Sequence, residues 1–340
     1  MQASLIKFLA VATAVSAAPF ALRAQNDGDS DWNHFGMDAR MGFNIRAKFL
    51  NQGAMAAPAS PAAGGAVNRA YTDGFVNTDV SGNQGGLTWN WGYKNAAQAP
   101  GNDTLLFHAS AVDGATSSRA DDPSLGFELS YLRDVVHADW GSWGVKASFG
   151  YSRINLSDNQ PQTANFTQIT DAYALGGIQV PMAPYNGSFN GPGPVIGSTP
   201  TRTATVTPGG ASIIGSRGID ANLFDFHLGP SADFRLSNRL SLQVGGGLAL
   251  GLVASKFSFA ETTTTPAGTV AASGSSHDTD CLVGAYAEAE LAYRFWRSAS
   301  VFVGAEFQYL GDFHQSAAGH DAQLDLSQTI FCKAGFQWKF

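Results

Sequence analysis

From Phe35 to Phe49 the chain alternates without a break. Phe35, Met37, Ala39, Met41, Phe43, Ile45, Ala47 and Phe49 are apolar, and Gly36, Asp38, Arg40, Gly42, Asn44, Arg46 and Lys48 stand between them. A period of two places successive side chains on opposite faces of a strand, so this strand has one apolar and one charged face. Soluble strands run to about 5–6 residues, whereas a strand crossing a bilayer needs about 9–11. The same alternation returns at 125–135, 143–153, 224–234, 240–254, 281–295, 301–313 and 330–340, and more weakly at 87–93 and 104–109. The expected fold is all-β: a transmembrane antiparallel up-and-down β-barrel of about ten strands, with eight and twelve left open.

Composition excludes the competing classes. Charged residues are 14% of the 340, against roughly a quarter in soluble domains, while Phe, Trp and Tyr reach 11% and there are 39 glycines. A disordered chain would be poor in aromatics and rich in charge. Helical membrane spans need about 20 consecutive apolar residues, and only the N-terminus approaches that. The net charge of −7 leaves no basic surface for nucleic acid.

Residues 1–24 read as a signal peptide: Lys7 supplies the positive start, 8–20 an apolar core, and Leu22-Arg23-Ala24 a small residue at the cut. Its removal leaves 18 basic against 27 acidic residues, a net charge of −9. Residues 25–34 then form a short periplasmic segment, and 35–340 the barrel.

The connections predict the topology. Short links fall at 137–142, 237–239 and 297–299, and long ones at 51–85, 111–123, 154–217, 259–279 and 314–325. Outer-membrane barrels alternate short periplasmic turns with longer extracellular loops. A ten-stranded count requires 94–102 to be a periplasmic turn. Trp91, Tyr93, Trp140, Trp143, Phe295, Trp296, Trp338 and Phe340 then gather at the periplasmic ends, and Phe49, Tyr151, Phe257, Tyr309 and Phe313 at the others. Aromatic belts belong at both interfaces of a bilayer.

The chain ends Phe336-Gln337-Trp338-Lys339-Phe340, a terminal Phe with aromatics two and four positions earlier. This ending resembles the C-terminal assembly signal of bacterial outer-membrane β-barrel proteins, carried by Phe336, Trp338 and Phe340. The resemblance implies export to the outer membrane of a Gram-negative-type envelope, with outer-membrane lipid and the barrel-assembly machinery as partners. It covers the architecture from Phe35 to Phe340 and selects no subfamily.

With apolar faces toward lipid, the lumen is lined by Asp38, Arg40, Arg46, Lys48, Glu128, Asp134, Lys146, Asp225, His227, Asp233, Arg235, Glu288, Glu290, Arg294, Glu306, Asp312, Lys333 and Lys339. Buried charges are tolerated when paired, so a salt-bridged interior is expected, and the alternative is a narrow path for small solutes or ions. Residues 154–217, rich in Pro, Asn, Gly and Thr, form either a constriction or an outward binding surface. Residues 69–76 read as a hairpin turning at Asp73-Gly74. The function readings are a structural or narrow porin-like barrel, a barrel acting as pedestal for loop-borne binding or adhesion, and, last, a surface hydrolase.

The hydrolase reading rests on Asp225-Phe226-His227 and Asp312-Phe313-His314, each an Asp that could orient an imidazole base. With His277, Asp278 and Asp280, the second pair is similar to the rim of the omptin surface proteases. That family faces its pairs across a groove, whereas here they fall on adjacent strands. No cofactor is called for, and no spacing typical of structural zinc is present. Gly245-Gly246-Gly247 has no helix after it and suits close packing in a curved sheet. Cys281 and Cys332, two strands apart at about 4.8 Å per step, lie beyond disulfide reach and are free thiols facing lipid.

Overall fold

The computed structural model describes residues 32–63, 66–120 and 123–340; the expected signal peptide at 1–24 and residues 25–31 lie outside these. Eight antiparallel strands close a ring: β1 (Asn33–Phe43), β2 (Ser124–Ala138), β3 (Gly141–Asp158), β4 (Thr201–Arg235), β5 (Leu240–Thr265), β6 (Gly268–Arg294), β7 (Ala299–Tyr309) and β8 (Thr329–Lys339). Each pairs with the next in sequence, and β8 returns to β1, with His34 facing Lys339 and Phe43 facing Ile330. In the lower part of the ring every strand is paired on both sides, which is what a hydrocarbon environment demands.

The continuous sheet has ten strands, but two of them are outside the ring. Gln162–Ala174 pairs with the upper end of β4, and Thr104–Val112 pairs with Gln162–Ala174. The weak alternations at 87–93 and 104–109 therefore build a surface module, and eight strands form the wall. Residues 94–102 likewise belong to that module, where Ala96–Gln98 is a single 3-10 turn, and not to a periplasmic turn. The remaining short links, at 139–140, 236–239 and 295–298, all lie at the end of the ring that carries Asn33 and Lys339. This is the periplasmic end.

Much of what the sequence suggests as loop is strand. β4 is 35 residues long, β5 26 and β6 27, so the segments 201–217 and 259–279 extend the wall upward. About 9–11 tilted residues cross a bilayer, so more than half of each strand stands above it. The shorter ring strands are prolonged by a second sheet ordered Asp312–Ala317, His320–Asp325, Arg46–Gln52 and Ala115–Ala120.

Two bulges set which face these prolongations show. Asn44 takes a left-handed conformation (φ 63°), and beyond it Ile45, Ala47 and Phe49 turn inward while Arg46 and Lys48 turn out. Gly311 (φ 80°) does the same after β7, turning Phe313 inward and Asp312 and His314 out. A one-residue irregularity moves every following side chain to the other face. In β3 and β5, and in β4 from Ala211 to Arg235, the pairing is continuous and the sequence itself inverts. β4 places Phe224 and Phe226 outward with Asp225 inward, whereas higher up Asp220 and Asn222 face out and Ile219, Ala221 and Leu223 face in.

Candidate functional site

The lumen is filled in layers. At its middle, Lys333 Nζ lies 2.6 Å from Glu288 Oε2, 3.0 Å from Glu306 Oε2, 3.1 Å from Glu290 Oε1 and 3.4 Å from Glu128 Oε1. Lys146 Nζ reaches Glu288 Oε1 at 2.8 Å and Glu290 Oε1 at 2.9 Å. Arg40 makes a bidentate pair with Asp225, donates from Nε to Ser152 Oγ at 3.1 Å, and lies 4.3 Å from the Phe331 ring centroid. His227 stacks on Tyr286, contacts Ser148 Oγ and Gln308, and has Asp225 Oδ1 and Glu306 Oε2 each at 3.7 Å. Apart from Asp225 and His227, which share β4, the partners lie on different strands, so these pairs tie the ring together from within.

Of the charges expected in the lumen, Asp38, Arg40, Glu128, Lys146, Asp225, His227, Asp233, Arg235, Glu288, Glu290, Arg294 and Glu306 are there, with Lys333 and Lys339. Asp134 faces in at the periplasmic end, where His34 Nε2 (3.0 Å) and His137 Nε2 (3.1 Å) converge on its Oδ2. Arg46 and Lys48 are corrections: the bulge at Asn44 puts both on the outer surface, as the one at Gly311 does for Asp312. Glu128, His227 and Glu306 bring ligand-type atoms within 4.8 Å of one another. The Lys333 ammonium already supplies positive charge to two of them.

Above the charges the interior becomes apolar. Ile154, Leu156, Ile219, Leu223, Val253, Phe257, Phe313, Leu324 and Phe331 belong to one buried cluster that fills the upper barrel. Phe49, Phe257 and Phe313, expected at the outer interface, are part of this core. A further ionic layer closes it: Arg217 Nε–Asp158 Oδ2 at 3.0 Å and His320 Nε2–Glu261 Oε1 at 2.5 Å, with the Gly53 N–H also donating to Glu261. Eight-stranded rings have interiors that side chains can fill.

The surface module has its own core of Val76, Trp91, Tyr93, Leu105, Phe107, Tyr173, Leu175 and Ile196. Trp91 and Tyr93 are 0% and 3% exposed there, so neither belongs to the membrane interface. Residues 69–76 form the expected hairpin, Arg69–Tyr71 pairing with Gly74–Val76. Tyr71 donates to Asp171 Oδ2 at 2.6 Å and meets Tyr173 Oη at 2.7 Å. Burial and these bonds hold the Tyr71 phenol well above its ordinary range. Asp171 also receives both Nε and Nη2 of Arg202 at 2.7 Å. Arg69, fully buried, donates to the carbonyls of Ala59, Ser60 and Ser198.

Outside, Trp140, Trp143, Trp296, Trp338, Phe336 and Phe340 are all exposed toward the periplasmic end. Tyr151 and Phe224 pair in register higher up, and just above them the exterior turns polar at Arg153, Asp220, Lys256 and His277. Phe336 and Trp338 lie on the closing strand β8, and Phe340 and Asn33 exchange two backbone hydrogen bonds. Cys281 and Cys332 are free thiols, on β6 and β8 with β7 between them.

No family model matches the chain, and no curated protein does. Several solved structures align with it over nearly their whole length. Ail, the attachment invasion locus protein of Yersinia pestis, is 9% identical, over 90% of this chain and 99% of its own, with a TM-score of 0.27. The outer membrane protease OmpT from Escherichia coli is 11% identical over 90% and 97%, at 0.32. The outer membrane protein OprG from Pseudomonas aeruginosa is 12% identical over 92% and 99%, at 0.31. These likenesses are too distant to carry a function across. A closed antiparallel ring with apolar side chains outward needs a bilayer around it, and the chain has the architecture of the bacterial outer-membrane β-barrel proteins.

Proposed function

We propose that the chain is a surface-binding protein in which a filled barrel serves as pedestal for the module built from residues 66–112 and 162–213. The carrying observation is the pair of hydrophobic cores, one occupying the upper lumen and one inside the module. A solute path would have to cross the Arg217–Asp158 layer, the apolar layer and the Lys333 layer in turn. The surface segments, by contrast, are ordered by a core and by buried arginines, which a merely solvated loop does not need.

The module also exposes apolar side chains close together. Val80 and Phe189 are 56% and 53% exposed, and the Val80 N–H donates to the Phe189 carbonyl at 2.8 Å. Exposed apolar residues grouped on a folded surface favour contact with a partner. Hydrolysis has less support: the Asp225–His227 pair is buried under the apolar core, and Asp312 and His314 face outward on a wall prolongation.

The test uses cells producing the chain, assayed for retention on glass, polysaccharide-coated and protein-coated surfaces. Production should raise retention on at least one, and Val80→Glu with Phe189→Glu should return it to baseline with the barrel still folded. No gain on any surface would overturn the reading. In a planar bilayer the folded protein should be electrically silent, and stable conductance steps would restore the channel in its place.

A further inference from the structure

The lower mouth of the lumen opens as a vestibule of about 550 Å³. Its wall includes Arg235 at the end of β4, Arg239 in the turn that follows, Arg294 at the end of β6 and Lys339 at the end of β8. In a chain of net charge −7, four cations here face a single lining carboxylate, Asp233. That carboxylate belongs to Lys339, whose Nζ is 3.8 Å from Asp233 Oδ2. The three guanidiniums have no carboxylate within 4.0 Å among the described residues. Arg294 donates to the Asn238 carbonyl, Arg239 Nη1 to Tyr293 Oη at 3.4 Å, and Arg235 makes no side-chain bond.

The contrast with the layers above is chemical. There every arginine and lysine is matched to at least one carboxylate, as buried cations must be. In the vestibule neutral acceptors take two of the guanidiniums and leave most of their donors free. Beside the cations the lining offers the hydroxyls of Ser142 and Ser300 and the Gln337 amide, with Ser300 directly opposite Arg294 in the ladder. A concave, low-dielectric cleft lined by one sign of charge focuses its field and concentrates counter-ions. Guanidinium forks match the two-oxygen edge of a carboxylate or phosphate. The vestibule belongs to the lumen and not to the lipid face, so its ligand arrives from the aqueous periplasmic side.

We infer that this mouth is a binding site for a soluble multivalent oxyanion, one carrying several closely spaced phosphate or carboxylate groups, held by Arg235, Arg239 and Arg294. The site is separate from the surface module and does not depend on the function proposed for it.

The experiment is calorimetric titration of the refolded full chain, in neutral detergent at about 0.15 M salt, where long-range surface attraction is screened within about 8 Å. Inorganic triphosphate and citrate are the two probes, and they distinguish a phosphate ligand from a carboxylate one. At least one should bind saturably at one site per chain. Arg235→Gln with Arg294→Gln should weaken that binding at least tenfold. Arg297→Gln, at the same end but outside the vestibule lining, should leave it unchanged. Absence of saturable binding by the unaltered chain would overturn the inference. So would an equal loss in Arg297→Gln, which would mark a general charge effect.

Discussion

Lys333 Nζ and Glu288 Oε2 are 2.6 Å apart in the centre of the barrel, joining β8 to β6 across the intervening β7. Glu128 and Glu306 meet the same ammonium from β2 and β7, so one cation holds carboxylates from three other strands. Removing one partner of a buried pair leaves uncompensated charge and costs about 3–5 kcal/mol. Lys333→Met should lose stability of that order, read from the urea midpoint of folding in detergent micelles, and Lys333→Arg should lose less. A midpoint for the Met variant equal to that of the unaltered chain would remove Lys333 from this role.

Gly150 marks where the Arg40–Asp225 pair crosses the lumen. A Cβ built there would overlap both the guanidinium and the Asp225 carboxylate. Overpacking of this kind costs about 1–3 kcal/mol. Gly150→Ala should be destabilised by that amount in the same folding measurement, and by clearly less when Arg40 is already Met. Equal penalties in both backgrounds would disprove the steric link.

Phe257 is 1% exposed and stacks on both Phe49 and Phe259. Phe257→Ala should cost about 3–5 kcal/mol by opening a cavity. It should still pass no current in a planar bilayer, because the charged layers beneath it remain. Conductance from this variant would show that the apolar core alone blocks the lumen.

Val303 is 59% exposed on β7, well inside the apolar belt. Val303→Arg should impair folding by about 2–4 kcal/mol if it faces the bilayer midplane. Lys48→Met, on the outer surface above the membrane, should change stability by no more than about 0.5 kcal/mol. A large loss for Lys48→Met would place it inside the lumen and undo the bulge at Asn44.

Acid should loosen the surface module through Asp79. Burial alone would raise this carboxyl, but the Ser81 hydroxyl and the N–H groups of Trp89, Asn83 and Ser81 outweigh it and hold its pKa below 3.8. A depressed folded value stabilises above the unfolded pKa, and that contribution fades as pH falls through the folded one. Limited proteolysis should therefore cut the module faster at pH 3 than at pH 7, and Asp79→Asn should flatten that difference. An unchanged pH difference in Asp79→Asn would exclude this carboxyl as its source.

The alternation at 35–49 and the ending Phe336–Phe340 revealed the membrane barrel because they report directly on which face meets lipid. Most lumen charges were legible for the same reason: parity fixes the face once one strand is oriented. Parity also misleads where the face inverts. Alternation alone assigns Phe257 to the interface, because the residues around it alternate as smoothly as those below. The inversion is visible in retrospect where outward Phe224 gives way to outward Asn222 and Asp220. Alternation alone puts Arg46 and Lys48 in the lumen, because a single left-handed Asn leaves only a weak trace in sequence. Trp91 and Tyr93 alternate as a membrane strand would, yet a water-soluble core uses the same residues. That Lys333 joins its carboxylates depends on strand register, which alternation does not encode.

The length of β4 has a mechanical consequence. The strand that pairs with Gln162–Ala174 in the module also forms the membrane wall, 35 residues in length with a register irregularity between Thr207 and Ala211. Tension applied to the module passes into the wall along this backbone and is shared with β3 and β5 through ladders loaded lengthwise. Many hydrogen bonds must then yield together instead of one after another. For a barrel that serves as a pedestal, that arrangement resists pull on the module.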